Sequence, residues 1–297
     1  MGRAPQGDGS YVDPQNPIAT AFVAACEDEL QALKPGNVHV HADGHRMTVD
    51  DFRRSAAAAC GPLTVPGARV GARIAGAVAA TLASVGTNTN LGIVLLCAPL
   101  AAAAERAPAP LETELARELA GLDREDAALA FQAIVSSAPA GLGRAERHDV
   151  FAPATVTLRA AMEEAAGRDR IACQYATDFA DVFGLGLPVL GRALARWPDR
   201  RWATLATYLA LLSTFPDSHI VRKHGDVAAE ETRATAERFR DRLETCASPD
   251  VLVPDLREWD FHLKECGINP GTSADLTVAS LFADRLRNIL PSTQRNG

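Results

Sequence analysis

Apolar residues recur at three- and four-residue intervals along most of the chain, the spacing that lines one face of an α-helix. It predicts helices over 17–33, 49–60, 67–85, 90–105, 112–120, 124–136, 154–164, 168–183, 188–196, 201–215, 227–246 and 272–289. Punctuation marks several boundaries. Lys34-Pro35-Gly36-Asn37 stops the first helix, because Pro cannot continue the hydrogen-bond ladder and Gly accepts positive φ. Thr48 is a suitable N-cap, with Asp50 and Asp51 in the first turn, where carboxylates favour the helix dipole. The alternating pattern of strands is weak throughout. A single all-α domain over 17–290, of roughly ten to twelve helices, is expected. A loose, polar N-terminal arm over 1–16 precedes it. The Pro-containing break at 107–110 reads equally as a hinge or as a loop within one domain.

Composition agrees. The 297 residues are 47% apolar and include 56 Ala, while aromatics reach 5%. Ala favours helices, and strands prefer aromatic and β-branched residues. The net charge of −7 lacks the basic surface that a nucleic-acid binder needs. Six scattered cysteines without a CxxC pair, and a polar opening without a signal sequence, point to free thiols in a cytoplasmic protein. His39, His41 and His45 lie in a loop without metal-ligand spacing, so zinc is not expected. The uncharged stretch 74–104 prompts a membrane test. Polar residues at 86–90 and Pro99 divide it into pieces too short to span, so two buried helices meeting at a polar loop fit better.

Four polar clusters interrupt this apolar sequence. Glu29 with Lys34-Pro35-Gly36-Asn37 sets an ammonium beside a bare backbone, which suits phosphate or simply ends a helix. Gly86-Thr87-Asn88-Thr89-Asn90-Leu91-Gly92 precedes an apolar helix, where free N–H groups bind anions or where a plain cap would serve. Asp217-Ser218 followed by Arg222, Lys223 and Gly225 sets a carboxylate among cations, a pattern for Mg²⁺ and polyphosphate as well as for a solvated surface. Asn269-Pro270-Gly271-Thr272-Ser273-Ala274-Asp275 feeds a helix that opens on a carboxylate.

In this order the clusters resemble the ATP:dephospho-CoA triphosphoribosyltransferases over most of the chain. The resemblance rests on Lys34-Pro35-Gly36, Gly86-x-Asn88-Thr89-x-x-Gly92, Asp217-Ser218 with Arg222 and Gly225, and Pro270-Gly271-x-Ser273-Ala274-Asp275. It implies an all-α pentosyltransferase that breaks the N-glycosidic bond of ATP, releases adenine and passes the triphosphoribosyl group to a ribose hydroxyl of 3′-dephospho-CoA. Such chemistry asks for an acid at the leaving base, negative charge near the ribose C1 and cations on the triphosphate. Lys34, Arg222 and Lys223 are then the expected phosphate contacts. Gly36, Asn37, Gly86, Thr87, Asn88, Thr89, Asn90, Gly92, Ser218, Gly271 and Ser273 are expected around the nucleotide. Asp217 and Asp275 are expected as Mg²⁺ ligands or general base, with Glu29 as a further catalytic carboxylate. Asn90 and Leu91 stand where members serving citrate lyase carry His and a basic residue. A different acceptor, in the synthesis of a pterin- or furan-type one-carbon carrier, is therefore an alternative, and a non-catalytic nucleotide-binding protein is a second. Tyr175 and Gln174 read as base-pocket candidates or, more simply, as core. Ala-rich helix faces are compatible with a homodimer.

Overall fold

The computed structural model describes residues 16–290 except 107, 139–142 and 144–146; the expected arm lies almost wholly outside the described residues. The described residues form thirteen α-helices and no strand longer than an isolated bridge. They are α1 Pro17–Gln31, α2 Val49–Leu63, α3 Val70–Val85, α4 Leu91–Ala104, α5 Leu111–Gly121, α6 Arg124–Ser137 and α7 Leu158–Ala165. The series continues with α8 Arg170–Ala176, α9 Leu187–Arg196, α10 Arg200–Thr214, α11 Ser218–Thr245, α12 Val253–Glu265 and α13 Gly271–Ile289.

The caps follow the local sequence. The Asn16 side chain accepts from the Ile18 and Ala19 N–H groups ahead of Pro17, and Thr48 and Asp51 cap α2 reciprocally. The two most deeply buried helices, α4 and α13, form the centre, with α1 and α10 against α13 and the α2–α3–α6 group outside. Residues 92–104 of α4 are all buried, which explains why its sequence shows no polar face. Pro99 does not interrupt it. The Leu95 carbonyl, which loses its helical donor at Pro99, accepts from the Tyr175 hydroxyl at 2.6 Å. Tyr175 and Gln174 are thus core residues, the latter donating to Asp181 at 2.5 Å.

Two expectations are corrected. Residues 168–183 are not one helix: α8 stops at Ala176, Asp178 and Phe179 take positive φ, and a π-helical turn follows over Val182–Gly186. Arg170 and Gln174 both reach Asp181, and this side-chain clamp holds the chain in the reversal. The chain from 218 is also helical, merging into α11 across a kink at Gly225 (φ 84°, ψ 174°), a conformation that Gly permits without strain. Helix α12, absent from the expected series, buries Leu256, Trp259 and Leu263 on one side. No helix among the described residues is long and apolar enough to cross a membrane, and the six cysteines are unpaired.

Candidate active site

The four polar clusters converge on one cavity of about 750 Å³ lined by parts of α1, α4, α8, α11 and α13, with α6 and α7 completing an apolar wall. Glu29, in the last turn of α1, is buried and meets Lys34 Nζ at 3.0 Å. The other Lys34 donors go to the Val38 carbonyl at 2.5 Å and Asn37 Oδ1 at 3.4 Å. The turn that carries Lys34 is fixed from several sides. Gly36, at φ +82°, donates to Asp260 at 2.8 Å, and a Cβ there would stand 2.8 Å from Pro270. Tyr208 donates to the Pro35 carbonyl at 2.7 Å, and Asn37 donates to Asn269 at 2.8 Å. The first cluster is therefore bolted to the fourth.

Asp217 bolts the third cluster to the fourth as well. Its Oδ1 accepts from the His219 and Ile220 N–H groups at the start of α11, and its Oδ2 accepts from the Ser273 N–H and hydroxyl, both at 2.8 Å. A carboxylate has about four lone-pair positions. All four are occupied in a fully buried residue. The second cluster meets the fourth at Gly92, where a Cβ would fall 2.0 Å from Asp275 Oδ2. Only a residue without a side chain admits that carboxylate.

The expected residues therefore divide. Glu29, Asn37, Thr87, Asn88, Thr89, Gly92, Arg222, Lys223, Gly271 and Asp275 line the cavity. Lys34, Gly36, Gly86, Asn90, Asp217, Ser218 and Ser273 are not among its lining residues. Lys34 has all its donors engaged and no exposure, which removes it as a phosphate contact and makes it the counter-ion of Glu29. Asp217 has no lone pair left for a metal or a proton acceptor's role, and it acts by holding α11 against α13. The Ser218 hydroxyl accepts from the Arg170 N–H at 2.8 Å, so it too joins elements. Gly86 ends α3 at φ 75°, while Asn88 Oδ1 accepts from the Leu91 N–H at 3.1 Å and caps α4. Asn90 is buried with Nδ2 unpartnered.

Charge is graded across the cavity. Arg46, Arg168, Arg222 and Lys223 are exposed cations along its lining. Arg222 also pairs at 2.7 Å with Asp169, the cap of α8. Deeper in, burial pushes Asp275 well above the usual carboxylate range, and Glu29, Asp217 and Asp169 reinforce the shift against Arg222. Burial also raises Glu29 and lowers Lys34, each restrained by the other's charge. His219 is held down to about 3 by burial and the neighbouring Lys223 and Arg222, so it lines the cavity as a neutral imidazole. Sequence reasoning missed His219, Asp169 and Asn269, as well as the apolar wall that includes Phe131, Ile134, Met162 and Ile171. Asn269 belongs to the fourth cluster and His219 lies between Ser218 and Arg222 of the third, which offered a signal; the wall is indistinguishable from core until the cavity is seen.

His39 contacts Asp260 at 3.3 Å behind the Lys34 turn, and burial lowers it to about 4. An unfolded chain ionises this group near 6.5 and so binds the extra proton first as pH falls. Native stability from this source is complete above about pH 6.5 and drains away toward pH 4. In urea titrations, His39→Gln should gain about 2 kcal/mol relative to wild type between pH 7 and pH 5.

No group of three metal-binding side chains occurs among the described residues. Of the two carboxylates expected to bind Mg²⁺, Asp275 alone faces the cavity.

A helical protein whose separated motifs close on one acidic, cation-rimmed cavity is the class that fold and site define. Residues 15–294 match the family model described as ATP:dephospho-CoA triphosphoribosyl transferase, and the chain belongs to that family. It is 31% identical over 134 residues to a protein of Azotobacter vinelandii provisionally named 2-(5″-triphosphoribosyl)-3′-dephosphocoenzyme-A synthase, covering 45% of this chain and 41% of that one. A Pseudomonas putida protein of the same provisional name is 32% identical over 109 residues, covering 36% of this chain and 38% of that one. These matches thus span about two fifths of the relatives' own length. A solved structure from Archaeoglobus fulgidus, provisionally named triphosphoribosyl-dephospho-CoA synthase, shares the fold with a TM-score of 0.62 and 24% identity, over 77% of this chain and 95% of that one.

Proposed function

We propose that this protein transfers the 5-triphosphoribosyl group of ATP to a ribose hydroxyl of 3′-dephospho-CoA and releases adenine. The observation that carries this reading is the convergence of the four polar clusters on one cavity, the first through Glu29 and Asn37, with carboxylates inside and cations along the lining. Arg222 and Lys223, with Arg168 and Arg46, offer charge to the triphosphate. Mg²⁺ arrives on the triphosphate as part of the substrate, with phosphate oxygens and water as its principal ligands. Asn88, Thr89 and the Gly92 backbone face the sugar, and Glu29 and Asp275 supply negative charge or a proton near its C1. The apolar wall suits the pantetheine arm of the acceptor, whose burial excludes water from a bond that water would otherwise hydrolyse.

Incubation with Mg-ATP and 3′-dephospho-CoA tests the reading. Free adenine should appear together with an acceptor heavier by one triphosphoribosyl group. Adenine formed only with another acceptor, such as a pterin or furan compound, would overturn the choice of acceptor. Nucleotide binding without adenine release from any acceptor would leave a binding protein and overturn the reaction.

A further inference from the structure

The two carboxyls of the cavity stand in opposite surroundings. Glu29 has a cation 3.0 Å away, and Lys34 has no other carboxylate partner among the described residues and no exposure to water. Asp275 has neither an ion pair nor a hydrogen bond among the described residues. It sits against the bare backbone of Gly92, where a side chain would leave no room for it. Facing it are Glu29 from α1, the Asp217 cap of α11 and the Asp169 cap of α8, with Arg222 of α11 as the opposing charge. His219, also in the cavity lining, is neutral. The N-terminus of α4 adds a partial positive field at Gly92, which acts in the same sense as Arg222. Burial, reinforced by the three acidic neighbours, outweighs these and pushes Asp275 well above the usual carboxylate range, toward the protonated acid. Two carboxyl groups with environments this different divide acid and base work between them.

Building on the transfer reaction above, we propose that Asp275 is the acid that protonates the departing purine and Glu29 the base that takes the proton of the acceptor's hydroxyl. The bond from C1 of the ribose to N9 breaks, and its electron pair leaves with the purine. The Asp275 proton passes to a ring nitrogen, so that neutral adenine departs. The acceptor's hydroxyl oxygen forms the new bond to C1 and gives its proton to Glu29, whose charge Lys34 has preserved. One proton has left the acceptor and one has joined the purine; exchange with solvent resets both carboxyls. A protonated Asp275 is not a Mg²⁺ ligand, in contrast to the expectation from sequence.

An ATP analogue methylated at purine N7 separates acid catalysis from mere positioning, because its base departs neutral without receiving a proton. Asp275→Asn should lose about 10²–10⁴-fold in turnover of ATP yet stay within about tenfold of wild type on the N7-methyl analogue. Glu29→Gln should be impaired on both. In wild type, turnover of ATP should fall as alkaline pH deprotonates Asp275, whereas turnover of the analogue should not; this profile stands if the Asn variant fails to fold. Equal losses of Asp275→Asn on the two substrates, or a raised Mg²⁺ requirement in that variant, would overturn the assignment. Absence of adenine release by wild type would instead refute the transfer reaction itself.

Discussion

Lys34→Met should lower the unfolding free energy by about 3–5 kcal/mol, the largest stability effect expected from a single substitution here. The substitution removes the only cation paired with Glu29 among the described residues and leaves that carboxylate buried. It also strips donors from the Val38 carbonyl and Asn37 Oδ1, so the turn loses its internal ties. Glu29 will then fold in the protonated form. Because its folded-state pKa rises further, the deficit should be full at pH 8 and shrink as pH falls toward 4. The double variant Glu29→Gln/Lys34→Met should recover most of the loss, since replacing both charges removes the unpaired one. Urea unfolding of the two variants and wild type at pH 8 measures this directly; a single variant as stable as wild type would show that the pair contributes nothing.

Gly92→Ala should leave a folded protein with turnover reduced by at least about 10²-fold. The new methyl would overlap Asp275 Oδ2 and fall 2.7 Å from Ile171 Cδ1. The carboxyl is the end of a short side chain and yields first, so destabilisation should be about 1–3 kcal/mol. Displacement of a reacting group by an ångström is enough for the kinetic loss. Adenine release and thermal unfolding measured on one preparation separate the two effects. Gly71→Ala provides a contrast, because its Cβ would strike the Asp126 backbone and neither residue lines the cavity. It should lose stability and keep its turnover per folded molecule.

Most of the fold was legible in the chain. Helical spacing located α1 to α7, and the Pro35-Gly36 turn and Gly86 follow the ends of α1 and α3, because these signals are local. The reversal after α8 was not legible, since it depends on Arg170 and Gln174 both finding Asp181. Pro99 misled for a similar reason: its cost is met by Tyr175, a residue far along the chain. The four clusters each contribute residues to the cavity lining, but the sequence does not tell which of their side chains face inward. Lys34 and Asp217 looked like ligands because both are charged and sit beside glycine or small residues. Their chemistry is spent on neighbours from other segments instead, at Glu29 and at Ser273. His219, two residues after Asp217, lines the cavity, and its backbone N–H is held by the cap that Asp217 places on α11.

A second cleft, of about 950 Å³, supplies the decisive contrast. It lies among Arg69, Arg73, Arg106 and Arg117, shares no lining residue with the four motifs, and carboxylates already engage its arginines, as in Arg73–Glu105 at 2.8 Å. A crystal structure with Mg-ATP and an unreactive acceptor should place the triphosphate along Arg222 and Lys223, with the ribose C1 beside Gly92 and Asp275. Nucleotide seated in the arginine cleft, with the motif-lined cavity left to water, would contradict the account.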